Sequence, residues 1–127
     1  MKKLLLLVIL AVVICVWFTD YVKSGKLQNY IDSNSSKEWA PKVQYYLGFT
    51  YYLAAKYDKA EYCFRHLLEL YPKSAYAPDS LYQTGVICEE TSRPQEAREI
   101  YKKILDEFPE FNKIEFVKKK YSHLLNF

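Results

Sequence analysis

The chain has 127 residues, 17% of them aromatic, including thirteen tyrosines. This length allows one domain with a modest core, and the aromatic content argues against disorder, which requires few large apolar side chains. The formal charge is +3, but from Thr19 onward 16 basic residues are balanced by 15 acidic ones. That balance excludes the basic surface typical of nucleic-acid binding.

Residues 1–26 are predicted to be a membrane anchor or an export signal. Two lysines precede the apolar run Leu4–Phe18, which as a helix covers about 22 Å against the ~30 Å of a hydrocarbon core. Bulky residues follow the run where a cleavable signal needs small ones. We therefore favour an uncleaved helix that enters the membrane through residues 4–22, with Trp17 and Tyr21 at the interface. Cleavage after Ser24 is the alternative.

The orientation of this helix depends on weak charge signals. Lys23 and Lys26 balance the two lysines before the run, while the free amino terminus and Asp20 favour a cytoplasmic N-terminus. The folded part is then expected outside the cytoplasm. A lipid anchor at Cys15 is disfavoured, because Ile14 stands where a lipoprotein signal has a small residue.

A linker and an internal repeat follow. Residues 27–38 are predicted to be a linker, with a short helical turn from Leu27 to Ile31 and a flexible stretch at Asn34-Ser35-Ser36. Beyond it the chain aligns with itself at a spacing of 37 residues, which pairs Ala40-Pro41 with Ala77-Pro78, Tyr45 with Tyr82, Gly48 with Gly85, Ala60 with Ala97, Leu68 with Leu105 and Pro72 with Pro109. Such a period indicates two copies of one supersecondary unit.

Each unit is predicted to be a pair of antiparallel helices. Proline and apolar spacing place the first pair at about 40–55 and 58–71, and the second pair at about 79–91 and 94–107. Asp58 with Glu61, and Ser92 with Gln95, are expected to form capping boxes at the second helix of each pair. The small residues Gly48, Ala60, Gly85 and Ala97 are expected to let the paired helices approach closely.

A fifth helix is predicted from about Asn112 to Leu125. Its apolar face is formed by Ile114, Val117, Tyr121 and Leu124, and the 37-residue register places Ser122 where the two glycines stood. We expect it to serve as the cap that the end of a solenoid requires.

This pattern resembles the tetratricopeptide-repeat (TPR) family. The positions that carry the resemblance, and that the family uses for repeat packing, are Leu47, Gly48, Tyr51, Ala60, Phe64 and Pro72 in the first unit and Gly85, Ala97, Tyr101 and Pro109 in the second. Thr84 and Cys88 depart from the family pattern. The resemblance implies an all-α solenoid over residues 39–127, with repeats at 41–74 and 78–111 and a capping helix at 112–126. The N-terminal hydrophobic helix predicted from the apolar run precedes it.

The period of 37 residues exceeds the usual 34. It is similar to the longer-period TPRs of bacterial envelope proteins, such as the lipoprotein of the outer-membrane β-barrel assembly machinery and the periplasmic protein associated with the Tol-Pal system. This similarity implies a location on the periplasmic side of the inner membrane, or secretion if the N-terminal segment is cleaved.

In the family, the first helices line a concave groove that binds a peptide or helix of another protein. The resemblance places this groove at Tyr45, Phe49, Tyr52, Leu53, Tyr82, Val86, Glu89 and Glu90, aromatic at one end and acidic at the other. Packing of Tyr45 and Phe49 against the linker or the N-terminal turn is the simpler alternative. A tethered adaptor and a permanent structural subunit of an envelope assembly are the competing functions, and neither involves nucleic acid or a small-molecule substrate.

Catalysis and metal binding are disfavoured. Cys63 and His66 lie three residues apart and Cys88 lies on a later helix, which is too few ligands for zinc. The two cysteines are expected to pack as small apolar residues, although a disulfide between them stays possible in an exported protein. No phosphate-binding loop or nucleophile motif is present, so we expect no cofactor and no enzymatic activity.

Overall fold

The computed structural model describes residues 1–126, and within that range the chain is entirely helical, with no strand. The helices are α1 (Lys2–Lys23), α2 (Lys26–Ser33), α3 (Ala40–Leu53), α4 (Tyr57–Leu70), α5 (Ala77–Glu90), α6 (Pro94–Glu107) and α7 (Ile114–Leu124). They form two compact units, Met1–Lys37 and a second that begins at Glu38. The predicted fold class is confirmed: packed helix pairs form a solenoid, preceded by an apolar helix.

Helix α1 is the long apolar helix of the first unit, Met1–Lys37. It contains 22 residues, which span about 33 Å, close to the thickness of a hydrocarbon core. Within residues 1–126 it is the one helix long and apolar enough to cross a membrane, a description that an N-terminal signal sequence also meets. Trp17 stacks on Tyr21 with ring centroids 5.5 Å apart.

Ser24 and Gly25 separate α1 from α2. Gly25 has φ 77°, a left-handed conformation that an L-residue adopts only at a cost. Helix α2 then runs through most of the predicted linker and is longer than the single turn expected there.

The second unit consists of two helix hairpins and a final helix. Each hairpin helix has 14 residues, and α5 and α6 begin 37 residues after α3 and α4. Pro41 and Pro78 occupy the first turns of α3 and α5, where the missing N–H would have no helical partner. Because proline fits inside that turn, α5 begins at Ala77, two residues before its predicted start at Asp79. Pro72 and Pro109 lie exposed just beyond α4 and α6.

Both predicted capping boxes are wrong. The N-cap residues of α4 and α6 are Lys56 and Arg93, and neither makes a side-chain cap. The preceding residues, Ala55 and Ser92, have φ 56° and 59°, and the amides of Lys56 and Arg93 donate to Tyr51 and Cys88 carbonyls at 2.9 and 2.8 Å. This pattern is a Schellman motif. The residue whose amide completes it, Lys56 or Arg93, is also the N-cap of the next helix. Asp58 therefore lies within the first turn of α4, and Ser92 lies outside α6.

The paired helices meet where an aromatic ring covers a glycine. A Cβ added to Gly48 would lie 2.9 Å from Phe64 Cε1, and one added to Gly85 would lie 2.5 Å from Tyr101 Cε1. Phe64, Tyr101, Ala60 and Ala97 are all completely buried. Glycine is therefore required at both positions for the helices to approach this closely. Leu47 and Tyr51 are half-buried at the margin of the first contact.

Helix α7 covers the end of the second hairpin. It packs against α6, and Val117 and Leu124 are buried within the same apolar cluster as Tyr101 and Ile104. Ser122, Lys118 and Glu115 on its outer side are exposed, as a solenoid cap requires. The predicted ends of this helix, at Asn112 and Leu125, lie slightly outside the observed ones. Phe127, the last residue of the predicted domain, lies outside the described residues.

The glycine contacts predict that one added methyl group destabilises the protein more at Gly85 than at Gly48. Gly85→Ala should lower the free energy of unfolding by about 1–3 kcal/mol, and Gly48→Ala by less, since its contact is looser and the Phe64 ring is held only by packing. Urea unfolding of the full chain in detergent measures both.

Tyr101→Phe provides the control, because Tyr101 also donates a hydrogen bond to Glu89. Without that hydrogen bond the ring can shift. Gly85→Ala should therefore lower the free energy of unfolding by less in the Tyr101→Phe variant than in the wild type. Equal costs in both backgrounds would contradict this explanation.

Candidate functional site

A row of aromatic residues follows one side of α3. Tyr45 stacks on Phe49 with ring centroids 6.2 Å apart, and Phe49 stacks on Tyr52 at 6.1 Å. Tyr52 also contacts Tyr57 of α4 at 5.9 Å. Phe49 and Tyr52 are half-buried, and Leu53 beside them is 70% exposed. The row therefore presents partly accessible apolar surface next to a fully accessible leucine.

Tyr45, the first residue of the row, belongs mainly to the core. Only 9% of it is exposed, and its ring contacts Phe64 at 5.6 Å and Tyr76 at 5.5 Å. Burial, assisted by the negative charge of Asp79, raises the pKa of Tyr45 to about 12. Tyr45 thus stays neutral and anchors the row to α4 and to the start of the second repeat.

On α5, Tyr82 takes the position equivalent to Tyr45 but packs differently. Its ring contacts Tyr101 at 6.3 Å and Phe111 at 6.2 Å. The ammonium group of Lys113 lies 5.3 Å from the Tyr82 ring centroid and 2.8 Å from the Asp79 carboxylate. The cation–π contact and the ion pair together join the start of α5 to the segment that precedes α7.

Glu89 is held in a polar network. Its Oε2 atom accepts a hydrogen bond from the Tyr101 hydroxyl at 2.5 Å and from Lys120 Nζ of α7 at 2.8 Å. Burial, followed by this hydrogen bond and the charge of Glu89, raises the pKa of Tyr101 far above its usual range. The network joins α5, α6 and α7, so Glu89 has a structural role and its charge is compensated.

One of the two carboxylates expected at the acidic end of the groove is therefore compensated. Glu90 is exposed, whereas Glu89 is paired with Lys120. Burial and the charge of Glu90 raise the pKa of Tyr52, while Lys120 opposes that effect. Val86, the remaining predicted residue, is half-buried on α5.

An ionic network that the sequence did not suggest joins the two hairpins. Arg93 contacts Glu61 at 2.6 Å and Glu96 at 3.0 Å, while Arg65 contacts the same two carboxylates at 2.8 and 2.5 Å. The hydrogen bond from Arg93, with a further contribution from Arg65, lowers the pKa of Glu61 despite its partial burial. Glu61, expected in a capping box, instead connects α4 to the second repeat.

The cysteines lie in packed surroundings. Cys63 and Cys88 are both buried and do not form a disulfide, and Cys63 Cβ lies against Gly48. Glu61, Cys88 and Glu96 could place three ligand atoms within 4.8 Å of one another. Both carboxylates already bind arginines, however, and burial raises the pKa of Cys88 to about 11, which disfavours the thiolate that a metal needs. The cluster fits an ion-pair network better than a metal site.

The histidine considered beside Cys63 lies outside this cluster. The His66 ring stacks on Tyr62 with centroids 5.5 Å apart and an interplanar angle of 12°. Tyr62 is exposed on the surface of α4.

The pKa of Glu61 predicts how stability responds to acid. A carboxyl group whose pKa is lowered on folding stabilises the protein above its unfolded pKa, near 4.3, and that contribution is lost as the pH falls through the lower folded value. Glu61→Gln should therefore reduce stability at pH 7 and should lose less stability than the wild type between pH 6 and pH 3. Urea unfolding at a series of pH values measures this.

Glu99→Gln, at an exposed position of α6, is the matched control and should keep the wild-type pH dependence. If Glu61→Gln and wild-type protein lose equal stability on acidification, the ionic network does not stabilise the fold.

Comparison with known proteins adds one finding. Residues 39–107 match the family model described as tetratricopeptide repeat. The match covers more than half of the chain and runs from the residue before α3 to the end of α6. No curated protein matches the chain.

Proposed function

The chain belongs to the tetratricopeptide-repeat family, and we propose that it binds a peptide or helix of another protein along the groove of its first helices, α3, α5 and α7. Repeats of this family are non-catalytic protein-interaction modules, which agrees with the expectation that the chain is not an enzyme. The role proposed for it requires neither a cofactor nor a small-molecule substrate.

The surface around Leu53 carries this proposal. Leu53 is 70% exposed, and it lies beside Phe49 and Tyr52, whose stacked rings are held in place by Tyr45 and Tyr57. Rigid aromatic residues lose little side-chain entropy on binding and dominate the energy of many interfaces. An exposed leucine next to such a row is a favourable anchor site for an apolar side chain of the partner.

Charge in the groove favours a partner with few charges near its anchor. Asp79 pairs with Lys113, and Glu89 pairs with Lys120, so four charged groups already compensate one another. Glu90 remains an exposed carboxylate. The lysine and asparagine clamp that some TPR proteins use for acidic chain ends is absent from the positions of this groove. We therefore infer that apolar contacts provide most of the affinity.

We further propose that α1 remains uncleaved and anchors the module to a membrane. The support is its length of 22 residues, its apolar composition, and Trp17 and Tyr21 near its end, followed by Lys23 and Lys26. Tethering raises the effective concentration of the module near partners in the same membrane, so a groove of weak intrinsic affinity suffices. The 37-residue period supports a place in the bacterial cell envelope, on the periplasmic side.

Tyr52→Ala tests the groove. Removing this ring opens the aromatic row next to Leu53, so we expect crosslinking to the principal neighbours in native membranes to fall roughly tenfold, as for an interface hot spot. Tyr62→Ala is the matched control, since Tyr62 is an exposed tyrosine of α4 at which no partner contact is proposed. Quantitative mass spectrometry of crosslinked neighbours compares both variants, after thermal unfolding confirms that each is folded.

Unchanged neighbours in Tyr52→Ala would contradict groove binding. Washing before crosslinking separates the competing functions, because an adaptor exchanges its partner while a permanent structural subunit retains it in a fixed ratio. Alkaline extraction of the same membranes tests the anchor: an uncleaved α1 stays in the pellet with Met1 present, and a cleaved chain is released.

A further inference from the structure

The repeat domain has a second surface, on the outer edge of the first hairpin. This α3 edge consists of Leu47, Thr50, Ala54, Lys56 and Lys59. Leu47 is half-buried and the other four are exposed, and Lys59 Nζ lies 5.6 Å from the ring centroid of Tyr51. Leu47 and Thr50 lie on the side of α3 away from the aromatic row. Ala54 and Lys56 follow α3, and Lys59 lies in the first turn of α4.

The second hairpin shows how such an edge accepts a helix. The residues 37 positions after those of the α3 edge are Thr84, Ile87, Thr91, Arg93 and Glu96. Ile87 is completely buried and Thr84 is 1% exposed, because α5 packs against α4. The same register on α3 replaces the buried Ile87 with the smaller, exposed Thr50.

Ion pairs join α4 to this corresponding surface of the second hairpin. Arg93 contacts Glu61 at 2.6 Å, and Glu96 contacts Arg65 at 2.5 Å. On the α3 edge, Lys56 takes the position of Arg93, and Lys59 takes the position of Glu96. Lys56 keeps the positive charge of Arg93, whereas Lys59 replaces the negative charge of Glu96 with a positive one. A helix seated on the α3 edge as α4 is seated on α5 therefore needs a carboxylate at both positions, four residues apart.

A second copy of this chain does not provide that charge pattern. Stacking another solenoid end to end would bring its α6 onto the α3 edge, and the α6 residues equivalent to Glu61 and Arg65 are Arg98 and Lys102. Two basic residues would then meet Lys56 and Lys59. In addition, α7 already packs against α6. Both the charges and the cap disfavour homotypic stacking.

We propose that the α3 edge binds an amphipathic helix of a different protein, one that carries two carboxylates four residues apart beside its apolar stripe. This helix extends the solenoid by one element in the place that α4 takes against α5. The surface is distinct from the groove, and its occupant can bind together with a groove ligand.

Two stapled peptide helices serve as probes. Both copy residues 57–71 of the chain with Cys63→Ser; the acidic probe also carries Arg65→Glu, and the basic probe retains Arg65. Fluorescence anisotropy with the full-length chain in detergent measures their binding. The acidic probe should bind roughly tenfold more tightly, and the difference should shrink at high salt because the added pairs are exposed.

Variants of the chain assign the effect to the edge. Lys56→Glu with Lys59→Glu should reverse the preference toward the basic probe. Lys102→Glu with Lys103→Glu makes the same change of charge on α6 and should leave the preference unchanged. Tyr52→Ala should also bind the acidic probe normally, so failure of the groove proposal and failure of this one are distinguishable.

Three results would overturn the proposal. Equal affinity for both probes would show that Lys56 and Lys59 do not select the occupant. Loss of probe binding in Tyr52→Ala would assign the probe to the groove. If the chain dimerises as its concentration rises, and the double variant Lys56→Glu with Lys59→Glu does not, the edge binds a second copy of the chain.

Discussion

An aromatic ring packed directly on a glycine backbone sets the geometry of both hairpins. Phe64 covers Gly48 and Tyr101 covers Gly85, each so closely that a Cβ atom does not fit without movement. The contact fixes the separation of the two helices in a hairpin, and the next hairpin then packs on a surface of defined shape. The orientation of α3, and so the exposure of its aromatic row and of its outer edge, depends on this contact.

The contact between an aromatic ring and a glycine occurs in both repeats, but its surroundings differ. In the first repeat the ring belongs to Phe64, and the neighbouring positions of α3 carry tyrosines and phenylalanine that form a continuous apolar row. In the second repeat the ring belongs to Tyr101, whose hydroxyl binds Glu89, and Lys120 of the cap completes the network. The first repeat thus provides accessible apolar surface, while the second contributes polar stabilisation and a packing surface for α7.

The repeat, the fold class and the approximate helix ends could be predicted from the sequence, since proline, glycine and alanine recur at one spacing and each has a local physical reason for its position. The capping boxes could not, because the Schellman turns place Ala55 and Ser92 in a left-handed conformation that usually indicates glycine. The pairing of Glu89 with Lys120 joins residues 31 apart, and no local pattern reports it. Likewise, the burial of Tyr45 depends on Tyr76, which lies in a connecting segment.

Thermal unfolding of Gly48→Leu, followed by the near-ultraviolet circular dichroism of the tyrosines, tests the central contact most directly. Leucine cannot fit between α3 and the Phe64 ring, so the two helices must separate, and the cooperative transition should move to a much lower temperature or disappear while helical content is largely retained. A melting temperature equal to that of the wild type would contradict the account, because the first hairpin would then not depend on close approach at Gly48.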